Sequence, residues 1–154
     1  MKNFTIFYGK KEYQRALDWN LENLLEHEPD VFEKMKANFL DTHTPLATIR
    51  VPNMRDIFSI MQGENWSSGD RQEKAQAEIK KLGLRHTTMR VGDLVIDNET
   101  HYVYYCDDYG WTELDHFWDF LPCGSLLSYD TVEEHLEEIN GDLLHINDLY
   151  PIQY

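Results

Sequence analysis

The stretch that decides the fold runs from Val91 to Leu114 and reads VGDLVIDNETHYVYYCDDYGWTEL. Val91–Asp97, His101–Cys106 and Trp111–Leu114 are rich in β-branched and aromatic residues, while Asp97–Thr100 and Asp107–Gly110 between them carry turn chemistry. Three short strands joined by tight turns predict an antiparallel meander. Gly92, inside the first of them, predicts a bulge or a close approach of another backbone.

Upstream of this meander the pattern alternates between strand and helix. Phe4, Ile6 and Tyr8 recur with period two and predict a strand over Lys2–Tyr8. Tyr13, Ala16, Leu17, Leu21, Leu24 and Leu25 recur at helical spacing and predict one amphipathic helix over Lys11–His27, stopped by Pro29. Asp30 is the expected cap of a second helix carrying Val31, Phe32, Met35, Phe39 and Leu40, which completes a helical hairpin. Pro45–Val51 returns to strand alternation. Asn53 then starts a helix whose apolar face is Met54, Ile57, Phe58 and Met61. Gly63–Gly69 is expected as a loop. A charged helix follows to Leu82, and Gly83 suits its left-handed C-cap.

Downstream, Phe117–Leu127 is aromatic and interrupted by Pro122 and Gly124, and Thr131–Ile139 reads as a helix with Val132, Leu136 and Ile139 on its buried stripe. The expected architecture is one α+β domain over residues 1–154: a small antiparallel β-meander packed with several amphipathic helices. Within it, 10–40 is a helical hairpin and candidate insertion, 45–114 an α/β core, and 115–154 an acidic C-terminal segment.

Composition narrows the classes. The chain has 154 residues, 42% of them apolar, 13% aromatic and 27% charged, which excludes a disordered tail, a collagen-like repeat and a disulfide scaffold. No apolar run reaches the roughly 18 residues of a membrane span, and Met1–Gly9 lacks the features of a secretory signal. Net charge is −14, which argues against direct nucleic-acid binding as the main activity. The charge is unevenly placed. Residues 1–90 hold 14 Lys and Arg against 13 Asp and Glu, whereas residues 91–154 hold 15 Asp and Glu and no Lys or Arg. Such a segment attracts basic partners and speeds their encounter; equally, it is what a solvated, solubilising surface looks like.

Catalytic and metal patterns are sparse. The seven histidines make no His-Glu-x-x-His pair; His116 and Asp119 share only an i, i+3 spacing, so no metal is expected. Cys106 and Cys123 form no Cys-x-x-Cys and read as buried free thiols of a reducing cytoplasm. His101 and Cys106, five apart on a strand, point to opposite faces and make no dyad. No nucleophile elbow and no glycine-rich phosphate cradle occurs, so neither an enzyme nor a cofactor is expected.

The acidic constellation carries the functional expectation. Glu133, Glu134, Glu137 and Glu138 lie opposite the apolar stripe of the last helix, with i, i+4 carboxylates about 5–6 Å apart. With the Asp107–Asp108 turn, Asp115 and Asp119 they can imitate the phosphates of a duplex, whose charges recur every ~1.7 Å of axis. Tyr109 and Trp118, beside these acids, are candidate exposed anchors, because Tyr and Trp are enriched in binding hot spots.

Gly83-Leu84-Arg85-His86-Thr87-Thr88-Met89-Arg90-Val91-Gly92-Asp93-Leu94-Val95 resembles the H/S-T-S-M-S-V-G-D-V-V signature of small uncharacterised proteins of phages, plasmids and other mobile elements. Tyr104-Tyr105-Cys106 and Tyr109-Gly110-Trp111-Thr112-Glu113-Leu114 fit the strand pair that follows it there, and Ala47–Met61 and Asn65-Trp66 fit what precedes it. The likeness covers Ala47–Leu114 and departs at Thr88 and Arg90, where the signature has serines. It implies a structural motif in an accessory protein acting inside a bacterium, where small acidic proteins of this origin inhibit host defence, restriction and CRISPR systems included. The resulting expectation is a non-enzymatic inhibitor whose partner is a basic host protein or nucleoprotein complex. The alternative is a small enzyme gathering His86, His101, His116 and Asp93 in one pocket.

Overall fold

Alternation along Lys2–Gly9 (β1) puts Phe4, Ile6 and Tyr8 on one side of the backbone and Thr5 and Phe7 on the other. A strand with one solvated face would bury only the first set. In the computed structural model, which describes residues 1–116, 119 and 136–150, every residue from Phe4 to Gly9 is buried. β1 therefore lies inside a sheet covered on both faces.

That sheet has six strands in the order β5-β4-β3-β1-β2-β6. His43–Val51 (β2) runs antiparallel to β1 from Lys2↔Val51 to Gly9↔His43. Leu46 is an extra residue there, since Ile6 faces Ala47 and Phe7 faces Pro45; the bulge sits beside a proline that has no N–H to give the ladder. Leu94–Asp97 (β3) pairs with the other side of β1, and Tyr102–Asp107 (β4) and Gly110–His116 (β5) complete the expected meander. β3 starts three residues later than the residue pattern predicts, because Val91–Asp93 belong to a turn in which Asp93 N–H donates to the Arg90 carbonyl. Leu144–His145 (β6) adds a short parallel pair on β2. Beyond it, the Asn147 side-chain amide accepts from Arg50 N and donates to Arg50 O, both at 2.9 Å, and so imitates a strand neighbour.

Two apolar clusters occupy the two faces. On one, Phe4, Ile6, Tyr8, Ile49 and Val95 pack against Asp56–Ile60 (α4), Gly63–Trp66 (α5) and Gln72–Lys81 (α6). On the other, Phe7, Leu94, Ile96, Val103 and Tyr105 meet Leu17, Leu24, Met35 and Phe39 of the N-terminal helices. The 10–40 segment thus supplies one of the two layers over the sheet. Helical residues at 136–140 (α7) add Leu136 to the same layer, and Ile146–Leu149 (α8) adds Ile146 to the first. Among the described residues no helix is long and apolar enough to cross a membrane.

Three local expectations need correction. Lys11–His27 is not one helix: a 3₁₀ turn and Gln14–Leu17 (α1) are separated from Leu21–His27 (α2) by Asp18–Asn20. Pro29 opens Pro29–Ala37 (α3) at its first position, where its missing N–H costs nothing, so Asp30 lies in the first turn and is not the cap. Gly63–Gly69 contains α5, because Trp66 is wholly buried and its Nε1 donates to the Thr87 carbonyl at 2.9 Å. Gly83 does end α6 with φ +69°, as expected. Of the expected helix at Thr131–Ile139, residues before 136 lie outside the described residues.

The break before α2 is capped by Asn20, whose Oδ1 accepts from Asn23 N at 2.8 Å while its Nδ2 donates to Asp108. Asn20→Ala is expected to lower stability by about 1 kcal/mol in a denaturant titration. A cost below a few tenths would mean that water replaces the cap fully.

Candidate functional site

The signature-like segment His86–Val95 is a clasp between layers. Asp93 is buried; its Oδ1 accepts from Gly9 N at 2.9 Å and its Oδ2 from Arg90 N at 2.8 Å. His86 Nε2 lies 3.1 Å from Asp93 Oδ2, and the Gln14 amide lies 2.8 Å from His86 Nδ1. An amide nitrogen only donates, so Nδ1 accepts and Nε2–H donates to Asp93: both ring nitrogens are occupied. Tyr8 stacks on His86 at 4.5 Å and its hydroxyl donates to the Thr87 carbonyl, while the Thr88 hydroxyl accepts from Gly63 N. Burial raises the Tyr8 phenol well above its usual range, and burial pushes the Cys106 thiol up to about 12, with Asp93 and Asp107 adding to it. A thiol held protonated is no nucleophile at neutral pH.

His101 and His116 pack edge to face, 5.5 Å apart, at the opposite end of the sheet, where Tyr102 pairs with His116. The four residues that an enzyme would need therefore form two separate pairs, one at each end of β3–β5. Asp119 Oδ2 accepts from His116 N at 3.2 Å. Among the described residues, no three His, Cys, Asp or Glu side chains gather as a metal site.

The acidic residues divide likewise. Asp107 and Asp108 sit in the β4–β5 turn, whereas Asp115 and Asp119 lie at the far end of β5, about 20 Å away for a seven-residue strand. Asp115 is 3.6 Å from Lys36, both half-exposed, a pair of little energetic weight. Glu137 and Glu138 are exposed on α7, opposite buried Leu136 as expected, and Asn140 of α7 contacts Thr5 beside Asn98, again at the far end. Trp118, Glu133 and Glu134 lie outside the described residues. One continuous phosphate-like row is thus not formed by the acids that are described.

What the fold does build is a rigid acidic turn with an aromatic tip. Asp107 Oδ1 accepts from Leu21 N, the first N–H of α2, and from Asp108 N; its Oδ2 accepts from the Thr112 hydroxyl at 2.9 Å. A carboxylate at a helix N-terminus is favoured by the orphan N–H groups there. The Tyr105 hydroxyl donates to the Trp19 carbonyl at 2.9 Å and so holds the other side of the break. The turn and the segment Asp18–Asn20 therefore fix each other. Tyr109 projects from the tip fully exposed, with Trp19 and Phe58 (42% exposed) also at the surface.

Two grooves flank the turn and share Asp107, Asp108, Gly110 and Trp111. One, of about 230 Å³, adds Arg55, Phe58 and Cys106; the other, of about 260 Å³, adds Asn20, Glu22, Tyr109 and Thr112. Phe58, Glu22 and Trp111 line these grooves although the residue pattern did not single them out for binding; Trp19 is exposed but lines neither. Phe58 was expected on the buried face of its helix, but at 3.6 residues per turn it projects to the side of the stripe that buries Ile57, Ile60 and Met61. Trp19 carried a signal: it is a large aromatic off the apolar stripe of its segment. Comparison of the chain with protein-family models, curated proteins and solved structures finds no match.

Proposed function

We propose that this chain is a non-enzymatic accessory protein of a phage or mobile element. It binds a basic host protein or nucleoprotein complex in the bacterial cytoplasm, a defence nuclease of the restriction or CRISPR type, and blocks it by occlusion. The observation that carries this reading is the fully exposed Tyr109 on an acidic turn whose carboxylates are locked by Leu21, Asn20 and Thr112. A preordered turn loses little backbone entropy on docking, and a tyrosine has only two side-chain torsions to fix, which favours a binding role. The segment 91–154, without Lys or Arg, adds long-range attraction for a basic surface.

Capture from bacterial lysate at low and high salt tests it, with Tyr109→Ala alongside the natural chain. Tyr109 touches no core, so the variant should keep its stability within about 0.5 kcal/mol. The expected result is a stoichiometric basic nucleic-acid-handling complex, released by salt and lost with Tyr109→Ala. Background binding alone, or capture indifferent to the variant, would overturn the reading.

A further inference from the structure

The groove on the Tyr109 side of the turn has a chemistry of its own. Glu22, Asp107 and Asp108 bring three carboxylates to it, Tyr109 and Trp111 bring two aromatic rings, and among the described residues that line it none is Lys or Arg. Arg55 lines the neighbouring groove instead. Asp107 already accepts three hydrogen bonds, but Asp108 accepts one side-chain bond, at Oδ2 from Asn20, and Glu22 is exposed. Carboxylates beside aromatic faces suit a cation that is also flat. A guanidinium forks onto a carboxylate and stacks on a ring, whereas an ammonium does the first as a point charge only.

We propose that this groove receives an arginine side chain of the partner, forked onto Asp108 with Glu22 adjacent and stacked against Trp111 and Tyr109. The inference rests on the reading of the turn as the docking surface and names the chemistry that surface reads. The occupant is argued from charge complementarity: an anionic groove with aromatic walls on a chain whose binding segment has no cation of its own to fill it.

The test is an NMR titration of the intact ¹⁵N-labelled chain with acetyl-Gly-Arg-Gly-amide and with its lysine and citrulline counterparts. Citrulline keeps the planar shape and loses the charge. Expected are saturable shifts at the Trp111 indole and the Tyr109 and Gly110 amides with the arginine peptide. Lysine should bind several-fold more weakly and citrulline should give no saturable response. Combining Asp108→Asn with Glu22→Gln should weaken the arginine peptide about tenfold or more. Equal responses to citrulline, or to lysine, would overturn the proposal, as would shifts confined to the Arg55 and Phe58 groove. If the peptide fails while Tyr109→Ala still loses the captured partner, this inference falls and the docking surface stands. If the peptide binds but Tyr109→Ala still captures the partner, the docking surface falls and with it the partner's arginine as the occupant.

Discussion

Gly92→Ala is expected to destabilise the protein by about 4 kcal/mol or more, among the largest effects of any single substitution. Gly92 has φ +100°, a conformation that L side chains rarely adopt, and an added Cβ would lie 2.0 Å from the Leu17 carbonyl oxygen. That oxygen is backbone, at the end of α1, and cannot rotate away as a side chain would. Relief would require the Asp18–Asn20 segment to move off the sheet, and with it the contacts of Tyr105 and Asp107. Gly92 N also donates to the Cys106 carbonyl and its own carbonyl accepts from His43, so the residue cannot shift alone. Gly110→Ala is the matched control: φ is +123° there, with nothing near the added Cβ, so it should show only the backbone penalty of about 1–2 kcal/mol. Guanidinium titrations of both variants measure the difference. Equal losses would show that the close approach contributes nothing.

A second large effect is expected from pH. His43 is wholly buried; its Nε2–H donates to the Gly92 carbonyl at 2.7 Å, and Nδ1 faces the Thr42 hydroxyl at 2.9 Å. Burial lowers its pKa from 6.5 to about 4; the Gly92 carbonyl and nearby Asp93 oppose that shift, and His86 and Lys10 add to it. Between pH 6.5 and 4 the unfolded chain binds this proton and the folded chain does not, so stability falls as pH falls through that window. Above about pH 7 the group is neutral in both states; below about 4 it is charged in both, and its share of the loss is complete. The full shift corresponds to roughly 3 kcal/mol. Thermal melts from pH 7.5 to 4 should show the decline. His43→Gln keeps a donor for the Gly92 carbonyl without a titrating ring and should flatten it. An unchanged slope in that variant would show that His43 is not the source of the pH dependence.

Much of the strand content was legible in the residues themselves. The alternation in Lys2–Tyr8, the β-rich run within Val91–Asp97, the turns at Asp97–Thr100 and Asp107–Gly110, and the glycine ending α6 are all preferences of a few neighbouring residues, readable in a short window. Gly92 was legible as a close approach, although which backbone it met was not. Breaks and caps were read less well. The interruption at Asp18–Asn20 depends on Asp107 and Tyr105, which are 86 residues away in the chain, and Asn20 is fixed to Asp108 at a separation of 88.

The candidate site divides in the same way. Asp107, Asp108 and Tyr109 stand out from charge and turn composition alone, and the lack of Lys and Arg after residue 90 is purely a property of the sequence. Tertiary structure decided that β1 lies at the centre of the sheet and is buried on both faces. It separated Asp115, Asp119, Glu137 and Glu138 from the turn, and it brought Glu22 and Asn20 to it. Side-chain chemistry and local torsional preference are carried by each short stretch of chain. Strand order, the pairing of a turn with a distant helix terminus and the shape of a groove arise only when segments far apart in sequence pack against a common sheet.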